Sequence, residues 1–363
     1  MASQPKQTFG GVDLLRFIAA VMVMFYHYGF WVWAYPDGMA GQAAGVILPQ
    51  RGLGQFTSSG WVGVPIFFVI SGFIIAFSAE NSTPLMFVWA RVKRLGPAVW
   101  ICAPITVIVA LFVGTTWPHD AVLKLLRTEV FWPFSPWVDS VYWTLGVEIA
   151  FYSIVWALLA TGRFYLIETV AAIIGLASGV FWVCFFVFGL TPLAEDRTLD
   201  LILIHHGCFF ALGVMIWLVR FKGMTAQRIG LSLVFVAAGV LQIVSSVSAT
   251  QAKITEPMYA LPPIILFLLA IGFMVASLQV EMSWAGWRKV GMMTYPLYLI
   301  HDLVGAAVIG KLVFSGVNYE VAMAISAALM IVVSWLIAVE AEPRIRELLD
   351  SLLFRYRLRT PTS

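Results

Sequence analysis

The sequence contains few charged residues. Asp, Glu, Lys and Arg make up 11% of its 363 residues, whereas 61% are hydrophobic. A soluble domain carries about 25% charged residues, so this chain has too little polar surface to cover a water-soluble globule. The net charge of +3 is small and no basic, aromatic platform accompanies it, which argues against a nucleic-acid partner. We therefore expect lipid to surround most of the chain.

Cysteine is also scarce, with three residues at Cys102, Cys184 and Cys208. An odd number of widely spaced cysteines in apolar segments is typical of small buried hydrophobic side chains and not of a disulfide framework. The spacing of the five histidines does not resemble a metal site, so we expect no metal ion. No small-residue cleavage signature follows the first apolar run, which we interpret as a retained helix and not as a signal peptide.

Long apolar runs, by contrast, are abundant. A membrane-spanning helix needs about 20 largely apolar residues, and ten segments satisfy this requirement. Their approximate bounds are 14–35, 60–79, 96–114, 141–160, 165–189, 201–220, 228–248, 259–279, 291–312 and 320–340. We predict an all-α, polytopic membrane bundle of about ten helices. It forms a single domain over residues 1–363, with spans from about 14 to 340 and a short cytoplasmic tail at 341–363.

The distribution of Lys and Arg predicts the orientation of the bundle. With the N-terminus inside, 16 of the 22 Lys and Arg residues, beginning with Lys6, fall on the cytoplasmic side, which leaves 22 − 16 = 6 outside. Cytoplasmic connections of membrane proteins carry such an excess of positive charge. We therefore predict that both termini are cytoplasmic. The outer connections include Trp117, Trp132 and Trp137, which suit interfacial anchoring or, alternatively, contact with sugar rings.

Ionisable residues inside the spans carry the functional signal, because such groups are costly in lipid and usually mark a function or a pairing. Arg16 lies near the cytoplasmic end of the first span, and His27 follows eleven residues later. This separation is about 16 Å along a helix. A neutral histidine can also be hidden in a bundle by one hydrogen bond, and Arg16 can pair with Asp13 near the headgroups.

Glu148 lies about 10 Å below the outer end of the fourth span. Because the first helix runs outward and the fourth runs inward, we predict that Glu148 and His27 reach a similar depth and form a pair. Such a pair orients the imidazole and raises its basicity, as a general base for a hydroxyl requires. A structural pair that only fixes helix packing is the alternative.

The cytoplasmic connection between the second and third spans carries Arg91, Lys93 and Arg94. Positive charges on one helical face repel one another unless an anion lies beside them. Lipid headgroups commonly supply that anion. A phosphorylated donor such as coenzyme A would also supply it, since Arg binds phosphate in a bidentate manner, and Arg16 lies at the same face of the membrane.

Other polar positions are less decisive. His301 and Asp302 lie near the middle of the ninth span, where Asp302 could pair locally or with another helix. His205 and His206 are adjacent, and we expect their side chains to point to different faces. Ser71 lies beside a glycine in a bulky span, which allows close approach of another helix or of a ligand. No G-x-S-x-G elbow marks Ser71 as a nucleophile.

Taken together, these segments resemble the membrane acyltransferase-3 family. The resemblance runs from residue 11 to about 340 and rests on six motifs in family order. The motif residues are Asp13 and Arg16 (D-x-x-R); Arg16 and His27 (Arg-x10-His); Gly63, Val64, Phe67, Phe68, Ser71, Gly72 and Phe73; Arg91, Arg94 and Pro97; Trp143, Thr144, Leu145, Glu148, Phe151 and Tyr152; and Tyr295, Tyr298, Leu299 and His301. Two positions depart from the family pattern: Leu14 replaces a usual Gly, and Ile149 replaces a common second Glu.

The resemblance implies a membrane-bound O-acyltransferase of the bacterial inner membrane. Its donor would be acyl-coenzyme A, commonly acetyl-coenzyme A, and its acceptor a hydroxyl of a surface polysaccharide, another glycan or a lipid-linked or exported molecule. The implied site has His27 as the catalytic base with Glu148 in support, Arg16, Arg91 and Arg94 on the donor's phosphates, and Asp13, Ser71, Tyr152 and His301 in supporting positions. No hydrolase-like domain is expected after the tenth span.

Two alternatives remain beside direct transfer by an enzyme. Acyl transfer through a covalent acyl-His27 intermediate is a variant of the same mechanism. A secondary transporter also uses intramembrane charges, but it predicts duplicated halves with helices broken at matching positions, and the sequence shows no such duplication. A purely structural subunit would leave the buried Glu and His without a reason.

Overall fold

The computed structural model describes residues 9–280 and 286–359. The structure is 81% helical, and the described residues contain no strand. The α-helices are, in chain order, α1 (Gly10–Tyr26), α2 (Val32–Ala34), α3 (Met39–Ala44), α4 (Arg51–Thr57), α5 (Gly63–Ala79), α6 (Pro84–Phe112), α7 (Pro118–Glu129), α8 (Trp143–Ala160), α9 (Ile167–Phe188), α10 (Arg197–Leu201), α11 (Gly207–Lys222), α12 (Ala226–Gln251), α13 (Leu261–Ser277), α14 (Gly286–Phe314), α15 (Tyr319–Leu336) and α16 (Glu342–Arg359).

The prediction of an all-helical membrane bundle is confirmed, since a helix occupies each of the ten predicted spans. Among the described residues, eight helical segments are long and apolar enough to cross a membrane. The other two predicted spans correspond to α11, with 16 residues, and α13, with 17 residues. Both are near the lower limit of about 17 residues for a spanning helix.

The first span contains a π-helical turn. The α-helix ends at Tyr26, residues His27–Trp31 form the π turn, and a short α-helix continues to Ala34. Each π turn shifts the side chains that follow it around the helix axis, and such turns occur frequently at functional sites. His27 is the first residue of this turn, so the side chains that follow it point in directions different from those on a regular α-helix.

The basic segment before the third span is helical and is not a loop. We predicted a span from residue 96 onward, but α6 begins at Pro84, where the hydroxyl of Thr83 accepts a hydrogen bond from the backbone N–H of Met86 at 3.3 Å. A proline in the first turn and a threonine at the N-cap both favour a helix start at this point. Arg91 and Arg94 consequently lie on a rigid helix.

Glycine allows the central helices to pack closely. A Cβ on Gly72 in α5 would lie 2.2 Å from the carbonyl oxygen of Phe210 in α11, and one on Gly213 would lie 2.0 Å from the carbonyl oxygen of Val69. A Cβ atom at either distance would overlap the carbonyl oxygen, so the two helix backbones pack too closely for a side chain at either glycine. The small residues beside Ser71 therefore serve helix packing, one of the two roles that the sequence suggested.

The segment after the last span is also ordered. A second π turn at Ile337–Ala341 leads into α16, which packs against α6. Lys93 Nζ lies 2.8 Å from Asp350 Oδ1, and Arg346 Nε donates to the carbonyl of Lys93 at 3.1 Å. The predicted tail at 341–363 is thus helical up to Arg359. Residues 1–8, with Lys6, and residues 360–363 lie outside the described residues, and the cytoplasmic position of the termini stays a prediction.

Candidate active site

Two cavities in the described part of the bundle have a volume of about 540 Å³ each. The inner cavity is lined by the basic residues that precede the third span and by Glu148, whereas the outer cavity is lined by His27. Val64, Phe68 and Tyr298 line both cavities. These three side chains form the boundary between the two cavities.

His27 is held by a carboxylate from α14. Its Nδ1 hydrogen-bonds Asp302 Oδ1, while the other oxygen of Asp302 accepts a hydrogen bond from Ser140 Oγ at 3.1 Å. Because Nδ1 is occupied by the carboxylate, Nε2 is the nitrogen left for a molecule in the outer cavity. An imidazole oriented by a buried carboxylate in this way has the arrangement of a general base.

The predicted pairing of His27 with Glu148 is wrong. Glu148 Oε1 accepts a hydrogen bond from Ser71 Oγ at 2.6 Å, and Oε2 accepts one from Tyr152 at 3.0 Å. Among the described residues, no hydrogen bond joins Glu148 to His27. A similar depth along the helix axis leaves the angular position of each side chain open, and α1 packs mainly against α14 and α5.

A second carboxylate lies next to the His27–Asp302 pair. Asp139 precedes α8, is 1% exposed and accepts a hydrogen bond from the backbone N–H of Leu303 at 3.0 Å. Burial, together with the charge and hydrogen bonding of the Asp302 carboxyl, raises the pKa of Asp139 to about 8. This shift favours the protonated form of Asp139 and leaves the negative charge of the pair on Asp302.

The arginines line the inner cavity. Arg91 lies over the rings of Phe87 and Tyr152 at 5.3 and 5.8 Å, and Arg94 lies over Tyr295 at 5.7 Å. Stacking on aromatic rings fixes a guanidinium plane and leaves its edge N–H groups for an anion. Both side chains therefore belong to the cavity, as an anion-binding role requires.

The inner cavity also contains basic residues that we did not predict as donor ligands from the sequence. Lys93, Arg288 and Arg346 also line the inner cavity. Arg288 comes from the start of α14 and Arg346 from α16, more than a hundred residues from the Arg91 segment, so only the fold brings them together. Thr83 followed by Pro84 gives a local signal for the helical start, whereas no local signal connects Arg288 and Arg346 to the Arg91 segment.

Asp13 and Arg16 form the predicted pair on α1. Their side chains approach to 3.7 Å, and Arg16 lines the inner cavity. A Cβ on Gly291 would lie 2.5 Å from Asp13 Oδ1, so α14 passes directly over this carboxylate. Asp13 thus supports the basic lining of the cavity from the first helix.

His301 supports the position of His27 without occupying a cavity. Its Nδ1 donates to the carbonyls of Leu297 and Tyr298 at 3.1 and 2.9 Å. The two imidazole rings pack edge to face with centroids 5.0 Å apart. A fully buried His301 therefore forms one wall against which the His27 ring rests.

The outer cavity holds a second polar cluster that the sequence did not predict. We expected His205 and His206 to point to different faces, yet both contact Asp200 Oδ1, His205 through Nδ1 at 2.7 Å and His206 through Nε2 at 3.1 Å. Burial alone would raise the pKa of Asp200, but the hydrogen bonds from both histidines hold that pKa well below its ordinary value. The carboxylate is therefore ionised.

Tryptophans also line the outer cavity, but not the ones singled out in the sequence. Trp117 and Trp132 are 75% and 48% exposed, in keeping with interfacial anchoring. The tryptophans that line the cavity are Trp31, Trp61, Trp143 and Trp182. Aromatic rings next to polar side chains form a surface suited to a sugar-sized molecule.

Comparisons with known proteins identify a family and two similar proteins. A family model described as an acyltransferase domain matches residues 9–339. A peptidoglycan O-acetyltransferase from Listeria monocytogenes is 26% identical over 172 residues, which are 43% of this chain and 23% of that protein. An O-acetyl transferase from Shigella phage Sf6 is 30% identical over 159 residues, which are 39% of this chain and 43% of that protein.

The matched segments cover less than half the length of either relative. No solved structure gives a significant match. The family match, in contrast, covers nearly the whole helical bundle and most of the residues that line the two cavities, although Arg346 lies beyond its end at residue 339.

Proposed function

We propose an acetyl-transfer activity for this chain, which belongs to this acyltransferase family and is a multi-pass membrane enzyme. The acetyl group passes from acetyl-coenzyme A to a hydroxyl of a carbohydrate in the cell envelope. The names of the two relatives, both O-acetyltransferases, support an acyl donor and a carbohydrate acceptor. The proposed location is the bacterial inner membrane, with the inner cavity open to the cytoplasm.

The donor occupies the inner cavity in this proposal. Coenzyme A carries several phosphates, and guanidinium groups bind phosphate through paired N–H donors. Arg91 and Arg94, stacked on aromatic rings, and Arg16 would hold those phosphates. Glu148 then acts within the donor site: bound to Ser71 and Tyr152, it lies among the arginines and fixes the polar wall along which the pantetheine arm extends.

The acceptor occupies the outer cavity, where His27 Nε2 is free to accept a proton. The acceptor hydroxyl gives its proton to Nε2 as its oxygen attacks the thioester carbonyl. A C–O bond forms and the C–S bond breaks, with the electron pair on sulfur. The proton then passes from the imidazolium to the thiolate, which yields the ester and free coenzyme A. Asp302 stabilises the imidazolium in between.

The single observation that carries this proposal is the common boundary of the two cavities. Val64, Phe68 and Tyr298 separate a basic cavity from one lined by a carboxylate-oriented histidine. Arg16 and His27 are about 16 Å apart along the helix, which is comparable to an extended pantetheine arm. A thioester would therefore reach the boundary while its phosphates stay on the arginines.

Radiolabelled acetyl-coenzyme A supplied to membranes tests the function. Membranes with the protein should transfer label to an envelope carbohydrate, and membranes without it should not. Uptake of intact donor into vesicles without a labelled product would support the transporter alternative. An equal absence of product and uptake would support the structural subunit, and either result would overturn the proposal.

The donor site has its own test. Combining Arg91→Ala with Arg94→Ala should raise the KM for acetyl-coenzyme A at least about tenfold, because each charged hydrogen bond to a phosphate contributes about 1.5–3 kcal/mol. Arg344→Ala is the matched control, since this side chain is 77% exposed and pairs with Glu340. Unchanged donor binding in the double variant would remove the arginines from the donor site.

A further inference from the structure

The cluster of Asp200, His205 and His206 stands apart from the His27–Asp302 pair and takes no part in the proton transfer. One ligand atom from each residue lies within 4.8 Å of the other two. Among residues 9–280 and 286–359, it is the one group of three His, Cys, Asp or Glu side chains with such geometry. All three side chains line the outer cavity.

A break in the helix explains why two adjacent histidines converge. On a regular helix, neighbouring side chains diverge by about 100°. Here α10 ends at Leu201 and α11 begins at Gly207, and Leu203 between them has φ of 63°. A left-handed conformation costs a leucine about 1–2 kcal/mol. Local strain of this kind is common where the chain must place functional side chains.

Arg197 and Trp182 fix the cluster from two sides. Arg197 Nη1 lies 3.3 Å from Asp200 Oδ2, so the carboxylate presents its other oxygen, Oδ1, to the histidines. Trp182 Nε1 donates to the carbonyl of His205 at 3.0 Å and pins the backbone of the break. The arrangement is thus preorganised and does not depend on the side chains' own flexibility.

The remaining ring nitrogens indicate what the cluster binds. His205 Nε2 and His206 Nδ1 are buried and have no hydrogen-bond partner in the described part of the chain. If both histidines donate to Asp200, these nitrogens carry lone pairs that no donor satisfies. If a metal ion takes the Asp200-facing nitrogens, the far nitrogens carry hydrogens instead, and aromatic rings accept N–H groups weakly.

Aromatic rings enclose both imidazoles. The rings of Phe181 and Trp182 lie 5.2 and 5.4 Å from His205, and those of Phe68 and Trp143 lie 5.2 and 5.3 Å from His206. Aromatic rings can accept the N–H groups that metal-bound histidines would present here. They cannot donate a hydrogen bond to the lone pairs that the metal-free histidines would present instead. They therefore favour the metal-bound tautomers.

We propose that Asp200, His205 and His206 form a site for a divalent transition-metal ion of the zinc class, with an open coordination position that faces the outer cavity. Two imidazoles and one carboxylate are the protein ligands of open zinc sites, at about 2.0–2.2 Å from the metal. Ligand atoms on such a sphere lie about 3.0–3.5 Å apart, so the observed separations of 2.7 and 3.1 Å require only a small outward shift.

This assignment replaces the expectation of no metal ion, which rested on sequence spacing alone. It concerns ion binding and stands whether or not the chain transfers acyl groups. An oxygen of the molecule in the outer cavity would take the open position, since zinc accepts oxygen ligands readily.

The test uses the purified full-length protein in detergent, stripped with a chelator and titrated with zinc chloride alone. We expect one zinc ion per chain, measured by calorimetry and by metal analysis after desalting. Cobalt chloride should give visible d–d absorption of a site with nitrogen and oxygen ligands. Asp200→Asn should weaken zinc binding at least about tenfold, and His205→Ala with His206→Ala should abolish it.

The matched control is His119→Ala, because His119 is 84% exposed and lies outside the cluster. That variant should bind zinc like the wild type. If the double histidine variant fails to fold, the isosteric Asp200→Asn protein, monodisperse by size-exclusion chromatography, decides the question. Substoichiometric zinc in the wild type, or equal zinc affinity in wild type and Asp200→Asn, would overturn the proposal.

Discussion

Replacing Asp302 with Asn is the most informative single change in the candidate active site. Asp302 accepts a hydrogen bond from His27 Nδ1 with one oxygen and from Ser140 Oγ at 3.1 Å with the other. Asn has the same shape, so packing is retained while the charge is removed. Any effect on turnover therefore reports on the orientation and charge that Asp302 provides.

The expected loss of kcat depends on which of two orientations the new amide takes. If its oxygen faces His27, a charged hydrogen bond of about 1.5–3 kcal/mol becomes a neutral one of about 1 kcal/mol, which lowers kcat about tenfold. If its N–H faces His27 Nδ1, the proton moves to Nε2 and the base is blocked. The equivalent change in serine proteases lowers kcat by about 10⁴, so we expect a loss between these values.

The assay measures kcat and KM for acetyl-coenzyme A in membranes, for the wild type, Asp302→Asn and Glu148→Gln. Asp302→Asn should lower kcat with little change in KM, and Asp302→Glu should recover part of the rate. Glu148→Gln should mainly raise the donor KM, because Glu148 bonds Ser71 and Tyr152. A kcat within about twofold of wild type in Asp302→Asn, with kcat lost in Glu148→Gln, would refute the structural assignment.

Three further predictions address the frame of the site. Gly72→Ala should destabilise the protein by about 1–3 kcal/mol, because its Cβ would lie 2.2 Å from the carbonyl of Phe210; Gly230→Ala, with no atom within 4 Å, is the control in detergent thermal unfolding. Asp139 has a raised pKa of about 8, so its stabilising contribution is complete below its ordinary pKa and is lost as pH rises through about 8. The free energy of unfolding should therefore decrease with a slope of up to about 1.4 kcal/mol per pH unit between the two pKa values. Melting temperatures should fall from pH 5 to pH 9 by more in the wild type than in Asp139→Asn, and parallel curves for the two proteins would contradict this. Tyr152→Phe should raise the donor KM a few-fold, since it removes one neutral hydrogen bond of about 1 kcal/mol, and an unchanged KM would exclude its role in the donor site.

The helices and the basic segment with Arg91 and Arg94 could be predicted because their signals are local. Apolar runs of about 20 residues mark the spans, and Arg91 and Arg94 lie close enough in sequence to share a helical face. Thr83 followed by Pro84 is also a local signal, and it marks the start of α6 twelve residues before the span that we predicted from residue 96. These features depend on the nearest few residues and on hydropathy.

The partner of His27 could not be predicted in the same way. Depth places a residue along the membrane normal, but its angular position depends on the π turn at His27 and on the packing of α1 against α14. Asp302 was noted as needing a partner, yet nothing local connects it to a residue 275 positions earlier. The convergence of His205 and His206 was missed because a leucine in the left-handed region is not a propensity-based expectation.

The most direct measurement is the rate of acetyl transfer in membranes that contain His27→Ala, with donor binding determined on the same preparation. Donor binding should stay near the wild-type value, because His27 lines the outer cavity and the phosphates would lie in the inner one. The transfer rate should fall by at least about 10²-fold, the smallest contribution typical of a general base. Wild-type transfer by a normally expressed His27→Ala protein would contradict the account.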